Sequence, residues 1–482
     1  MVKNNEKRGF LDSFFKLKEN GTTVKTEVIA GITTFITMAY IIFVNPSILM
    51  QAGMNSKGLL GTQAVNSGLS IANDPVIGAV FVATILSSVV ATLVMGLFAN
   101  VPFALSAGMG MNAFFTFYVV LTLHYSWQAA LSLALISGII NIIITATKLR
   151  ILIIKAIPQS LRSAIGAGIG LFIAIIGMEN GGIITKSSDT LVTLGNFKDP
   201  GVILTVIGIA IIAVLMSRGV KGAILIGIIA STLIGIPMGI TNVSNLKTIV
   251  QMPPSLAPTF MKLDFAGLLK PGTDGNIISI LTGLITVILA FSLADMFDAI
   301  GTLIGTGTKT GIFKEDDFEK SNGGFKTRFE RALFADAIGT TIGSFLGTST
   351  ITTYVESASG ISEGGKTGLT STVVAILFLI SLFFAPIIGI VPSQATAPAL
   401  IIVGALMIGS VTKVNFEDFS EAFPAFMTIA FMPFTYSISN GIAAGFIFYP
   451  ITKIVVGKSK EVHPLMYIIG LLFLLRFAFF MG

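Results

Sequence analysis

The chain has 482 residues, of which 53% are hydrophobic and only 11% charged, whereas a soluble domain carries about 25% charged residues. The net charge of +6 comes from Lys and Arg held in short clusters between apolar runs, a placement that marks membrane orientation rather than a nucleic-acid surface. With no cysteine and only His124 and His463, disulfides, thiolate metal sites and a histidine-rich metal centre are excluded, so neither metal nor cofactor is expected.

Residues 1–25 contain six Lys and Arg and no apolar core of signal-peptide kind, so they read as a cytoplasmic N-terminal segment. Phe10, Leu11, Phe14, Phe15 and Leu17 suggest a short amphipathic helix on the inner membrane surface, the alternative being a flexible tail. Apolar spans follow near 27–49, 76–99, 103–122, 127–147, 161–178, 201–217, 222–240, 277–305, 332–347, 349–361, 367–391, 395–411, 422–437 and 439–456. Roughly 20 residues cross a bilayer as a helix. A further apolar stretch at 464–481 spans, re-enters or lies in the interface; its pattern does not choose. With the N-terminus inside and fourteen crossings, 23 of the 30 Lys and Arg fall in inner segments and six in outer loops, which supports that frame.

The two halves resemble each other. Ile157-Pro158-Gln159-Ser160 opens a span as Val391-Pro392-Ser393-Gln394 does, and 91–112 lies opposite 339–360. Seven spans per half is an odd number, so the second copy enters from the opposite side. That is the inverted repeat of many transporters.

Ionisable residues away from span edges are few: Asp295 and Asp298 in the eighth span, Asp336 in the ninth and Glu356 in the tenth. A carboxylate at the bilayer centre costs roughly 2.5–3.5 kcal/mol on insertion scales. No basic residue lies deep in a span to neutralise them, so they are expected to line a solute or proton path. Asp295 and Asp298, three apart on one helical face, suit proton coupling. Either Asp295 or Asp336 also suits a structural role, capping a broken helix or binding backbone amides. Gly339 to Gly360 has 14 Gly, Ser or Thr among its 22 residues, and Thr350–Val355 has strand propensity. Its counterpart Val101–Leu105 reads as extended too and leads to Gly108-Met109-Gly110-Met111-Asn112. Two short strands, each leading into a half-helix, are expected to pair at mid-membrane, where irregular backbone is tolerated only if buried or lining a cavity. Asn112 offers donors and an acceptor to a solute, or equally serves as glue between helices.

Glu27-Val-Ile-Ala-Gly-Ile-Thr-Thr-Phe, Ala107-Gly-Met-Gly-Met-Asn-Ala-Phe-Phe, Ala294-Asp-Met-Phe-Asp-Ala-Ile-Gly-Thr and Thr353-Tyr-Val-Glu-Ser-Ala-Ser-Gly-Ile resemble the guanine/hypoxanthine/adenine permeases. These form the AzgA-like branch of the nucleobase–ascorbate transporter superfamily. The resemblance implies an all-α polytopic membrane protein of 14 transmembrane segments in a 7+7 inverted repeat, with short strands in segments 3 and 10. A core domain would comprise 26–150 and 276–391 (segments 1–4 and 8–11), and a gate domain 151–245 and 392–460 (segments 5–7 and 12–14). Residues 461–482 remain as a C-terminal hydrophobic segment. The resemblance further implies proton-coupled purine uptake by alternating access across the plasma membrane, with guanine or hypoxanthine, and adenine besides, as substrates. Glu356, Asn112, Asp298, Gly110 and Thr353 would bind the base, and Asp298 with Asp295 would couple protons. Asp298 and Gly301 fit the superfamily's Glu-x-x-Gly with Asp for Glu. Homodimers are frequent in that superfamily. A xanthine or uracil permease on the same fold is the nearest alternative. A channel and an intramembrane aspartyl hydrolase, lacking a continuous polar path and a Gly-x-Gly-Asp block, stand further off.

Overall fold

Asp74 and Asp199 show how the long helices begin. Asp74 Oδ1 accepts the N–H groups of Val76 and Ile77 at 2.9 and 3.0 Å, and Asp199 accepts that of Gly201 at 2.7 Å. Each is followed by a proline at the first helical position, where a missing N–H costs no hydrogen bond. The computed structural model describes residues 10–147, 153, 156–187, 190–243, 246, 248–269, 277–307, 310–313, 317 and 325–480. Residues 1–9 and much of the expected basic inner loops at 148–162 and 309–331 therefore lie outside the described residues.

In chain order the helices are α1 (Phe10–Phe15), α2 (Val24–Met38), α3 (Ile41–Leu49) and α4 (Pro75–Val94). Strand β1 (Leu105–Ala107) leads into α5 (Met109–Ala113), which continues as a π-helical stretch over Phe114–Thr122. Then come α6 (Trp127–Ala146), α7 (Gln159–Asn180), a small hairpin of β2 (Ile184–Lys186) and β3 (Val192–Leu194), α8 (Pro200–Ser217) and α9 (Ala223–Gly235). The second half supplies α10 (Ile277–Gly307), α11 (Arg328–Leu346), β4 (Ile351–Thr353), α12 (Ser357–Ser362), α13 (Gly368–Ser381), α14 (Ser393–Ile408), α15 (Phe419–Phe434), α16 (Ile438–Val455) and α17 (Pro464–Phe480). Nine helical stretches among the described residues are long and apolar enough to cross a bilayer, and four shorter apolar helices accompany them. This is a multi-pass, mostly α-helical membrane protein.

The expected spans recur with shifts of a few residues, and three are broken, the tenth of them into β4 and the six-residue α12. The first divides at Ala39–Tyr40 between α2 and α3. The third is strand, short helix and π-helix in succession. The expected amphipathic helix forms as α1, with Phe10 79% exposed while Phe15 and Leu17 bury against Leu369.

Packing falls into two neighbourhoods. Helix α11 packs on α4 and α6, and α13 on α2 and α4. In the other, α7 packs on α14 and α15, α8 on α9 and α14, and α15 on α16. Against α4 and α11 of the first, β1 and β4 pair antiparallel, with Leu105 opposite Thr353, Ser106 opposite Thr352 and Ala107 opposite Ile351.

A two-stranded ribbon buried in a membrane protein must have both outer edges satisfied, and the flanking helices do this. Thr92 Oγ1 of α4 accepts the Leu105 N–H at 2.9 Å and lies 3.1 Å from its carbonyl. On the β4 side, Thr340 Oγ1 donates to the Ile351 carbonyl at 3.1 Å and Asp336 accepts the Thr353 N–H at 2.8 Å. Helix α11 ends at Gly347, whose φ of +95° suits glycine; a Cβ there would lie 2.3 Å from Thr259.

Candidate functional site

The ribbon brings the sequence's isolated acids to one place. Beyond Thr353 the chain leaves the buried strand: Val355 is 55% exposed and Glu356 half-buried. Glu356 Oε1 accepts a 2.6 Å hydrogen bond from the Tyr40 hydroxyl, which reaches it from the break in the first span. From α10, Asp298 is half-buried and Gly301, on the same face, is exposed. A Cβ built at Gly301 meets no atom within 4 Å. That face of α10 therefore opens onto free space. Asp298 lies close enough to Glu356 and Asp336 for their charges to act on it, and among the described residues no Lys or Arg ion-pairs with Asp298 or Glu356.

The other expected site residues divide by how their polar atoms are used. Asn112 is fully buried; the Ser349 hydroxyl donates to its Oδ1, and its Nδ2 has no partner among the described residues. Buried donors are almost always paired, so this one is available to a ligand acceptor. Gly110 lets α5 approach α7 closely, since a Cβ would fall 2.4 Å from Ile169 Cγ2. Thr353 gives both its N–H and its hydroxyl to Asp336 Oδ1, each at 2.8 Å, so it orients the ribbon and has no free donor. Asp336 thus takes the structural role weighed for it. Asp295 is fully buried and accepts from Asn141 of α6 at 3.0 Å and Thr340 of α11 at 3.1 Å through Oδ2. Its Oδ1 is unpartnered among the described residues.

Three participants escape the sequence reading: Tyr40, Asn141 and Ser349. Asn141, a lone amide inside an apolar span, carries the same signal that singled out Asn112. Tyr40 stands in the run Met38-Ala39-Tyr40-Ile41-Ile42 with nothing local to announce that the helix breaks there. Chemically, the centre offers carboxyl acceptors beside an open helix face, with no cationic partner for Asp298 or Glu356 among the described residues. It suits reversible binding of a small solute with N–H donors.

Uncompensated acids around broken helices and a buried strand pair, within a bundle of apolar spans, define a transporter. The sequence matches the pattern described as Permease family over residues 25–444; the chain belongs to that family and is a transporter, not an enzyme. It is 44% identical over 469 residues to the guanine/hypoxanthine permease PbuG of Bacillus subtilis (strain 168), covering 97% of this chain and 100% of the relative. To the adenine permease AdeP of Escherichia coli (strain K12) it is 42% identical over 472 residues, covering 98% and 97%. Among solved structures, the transmembrane domain of the cyanobacterial bicarbonate transporter BicA superposes with a TM-score of 0.59 at 14% identity, covering 87% of this chain and 97% of that one. At that identity the likeness speaks for the fold alone.

Proposed function

We propose that the chain carries purine nucleobases, guanine or hypoxanthine and adenine besides, into the cell by proton-coupled alternating access. The observation that carries this reading is the pairing of Asp298 and Glu356. Both are half-buried, both lack a cationic partner among the described residues, and they sit within electrostatic reach of each other beside an open helix face. Full-length identity above 40% to purine permeases supports the substrate class. A purine is flat and edged with alternating donors and acceptors. Ionised Glu356 accepts N–H bonds from that edge, a charge-assisted contact, and Asn112 Nδ2 donates to a neighbouring ring or carbonyl acceptor. Asp298, one turn from Asp295, takes the proton that stabilises the loaded, occluded state. Gly110 and Thr353 act by shaping the ribbon and its approach to α7.

In this reading segments 1–4 and 8–11 form the core and 5–7 and 12–14 the gate, related as inverted sevens in the plasma membrane with the N-terminus inside. The two packing neighbourhoods, α2–α4–α6–α11–α13 and α7–α8–α9–α14–α15–α16, support that division. The lysine and arginine bias supports the orientation. The test is uptake of labelled hypoxanthine into proteoliposomes under a proton gradient. Uptake saturates, collapses with an uncoupler, and is abolished by Glu356→Gln with insertion unchanged. Undiminished uptake in Glu356→Gln rejects the site.

A further inference from the structure

We infer that Tyr40 is a positioning residue that sets how many acceptor positions Glu356 shows to a base, and through that the discrimination between guanine and hypoxanthine. The inference rests on the nucleobase reading of the same site. Tyr40 is 1% exposed, so its ring has one place to be. Its ring centroid lies 6.4 Å from that of Tyr354, whose own hydroxyl donates to the Ala107 carbonyl of β1 at 2.6 Å. The tyrosine pair is therefore anchored to the ribbon. The first span is broken at this residue, and the Thr37 hydroxyl, one turn earlier, donates to the Thr34 carbonyl at 2.8 Å and lies 3.4 Å from the Glu356 backbone carbonyl. The break between α2 and α3 thus lies against both the main chain and the side chain of Glu356.

A phenol hydroxyl aimed at a carboxylate donates, and at 2.6 Å the bond is of the short, charge-assisted kind. It fixes the plane of the carboxyl group and occupies one lone pair of Oε1. Among the described residues no other side chain hydrogen-bonds this carboxyl group. What remains for a ligand, beside the carboxyl group's hydrogen bond with its own backbone N–H, is the rest of its acceptor capacity, on Oε2 and on an Oε1 whose charge is already shared. A base edge with one N–H next to an acceptor fits that arrangement. The second donor of guanine, its exocyclic amine, has to share Oε1 with Tyr40, taking the one lone pair and the reduced charge that the phenol leaves. Hypoxanthine differs from guanine only by lacking that amine, so the ratio of their inhibition constants reads this one bond.

The experiment is competition of unlabelled guanine and hypoxanthine against labelled hypoxanthine in proteoliposomes, on the wild-type chain and on Tyr40→Phe. In the wild-type chain the amine gains little, and the two bases compete within about threefold of each other. Removing the hydroxyl frees Oε1 for the amine. A hydrogen bond to a charged group is worth about 1.5 kcal/mol or more, so the ratio shifts toward guanine by about tenfold while hypoxanthine binding weakens. A purely structural Tyr40 weakens both bases alike and leaves the ratio unchanged, which overturns the inference. Guanine favoured more than tenfold by the wild-type chain overturns it as well, and that measurement needs no variant to fold. If Glu356→Gln abolishes uptake but the Tyr40→Phe ratio does not move, only the role of Tyr40 falls. If Glu356→Gln leaves uptake intact, the site itself was misread.

Discussion

Asn112 has two halves to its amide, and they do different things. Its oxygen is held by Ser349, two residues before the ribbon strand β4, while its nitrogen has no partner among the described residues. An unsatisfied buried donor costs about 1–3 kcal/mol. A residue kept at that cost is explained by a ligand that supplies the missing acceptor. Substituting Asn112→Ala should therefore separate stability from function. Heat stability in detergent should change little, since losing the Asn112 Nδ2 orphan offsets the loss of the Ser349 hydroxyl's acceptor, while KM for hypoxanthine rises about tenfold. A lowered melting temperature with unchanged KM would make Asn112 the helix–helix glue that its position equally suggested.

At the scale of elements, buried carboxylates act as caps for chain segments far away. Glu27, near the start of α2 and fully buried, accepts the N–H groups of Lys366 at 2.9 Å, Thr367 at 3.3 Å and Thr370 at 3.2 Å, and the Thr370 hydroxyl at 2.6 Å. It holds the N-terminus of α13, where backbone donors lack intrahelical partners and negative charge is favoured. Glu27→Ala strands those donors and should lower stability by about 3 kcal/mol, read as a fall in melting temperature, with KM for purine unchanged in the protein that survives. The sequence placed Glu27 only as a motif residue. Its partners lie some 340 positions away, and neither spacing nor periodicity encodes such a contact. The same limit separates the two strands. Ile351–Thr353 was legible because a run of β-branched residues has little reason to be helical in oil. Leu105-Ser106-Ala107 has no such propensity; only likeness between the halves pointed nearby, to Val101–Leu105, and the pairing begins where that expectation ends. Thr92, waiting to satisfy the edge at Leu105, sets that register. Asp298 and Glu356 could be found from composition alone, because an acid without a cation in an apolar span demands an explanation. Tyr40 could not, since a tyrosine in an apolar run demands none.

The whole molecule turns on how two packing neighbourhoods meet, and the C-terminal helix lies across them. Helix α17 packs on α16 and on α10, but the two contacts differ in quality. Toward α16 it is close: a Cβ at Gly470 would lie 2.5 Å from the Phe446 carbonyl, and Phe473 meets Phe446 with ring centroids 6.2 Å apart. The base of that hairpin is fastened by Lys453, 1% exposed, which pairs with Glu461 at 2.9 Å and Glu421 at 3.2 Å. Toward α10 a cavity of about 140 Å³ remains, lined by Ile285, Thr286, Leu289, Ile469, Leu472 and Phe473. Interiors that move as one body are close-packed, so α17 belongs with α16, and the seam with α10 is where sliding occurs if core and gate move as proposed. Elsewhere Lys221, between α8 and α9, pairs with Glu363, just after α12, a second contact across the same division. The chain contains no cysteine, so introduced thiols report without background. A short thiol-specific cross-linker joining Leu289→Cys to Leu472→Cys should stop purine uptake, as should one joining Lys221→Cys to Glu363→Cys, while Phe446→Cys joined to Phe473→Cys should leave it running. Uptake that survives the Lys221–Glu363 bridge would refute two moving bodies altogether. Uptake that survives only the Leu289–Leu472 bridge would move α17 from the gate to the core, because a helix travelling with α10 can be tied to it without cost to transport.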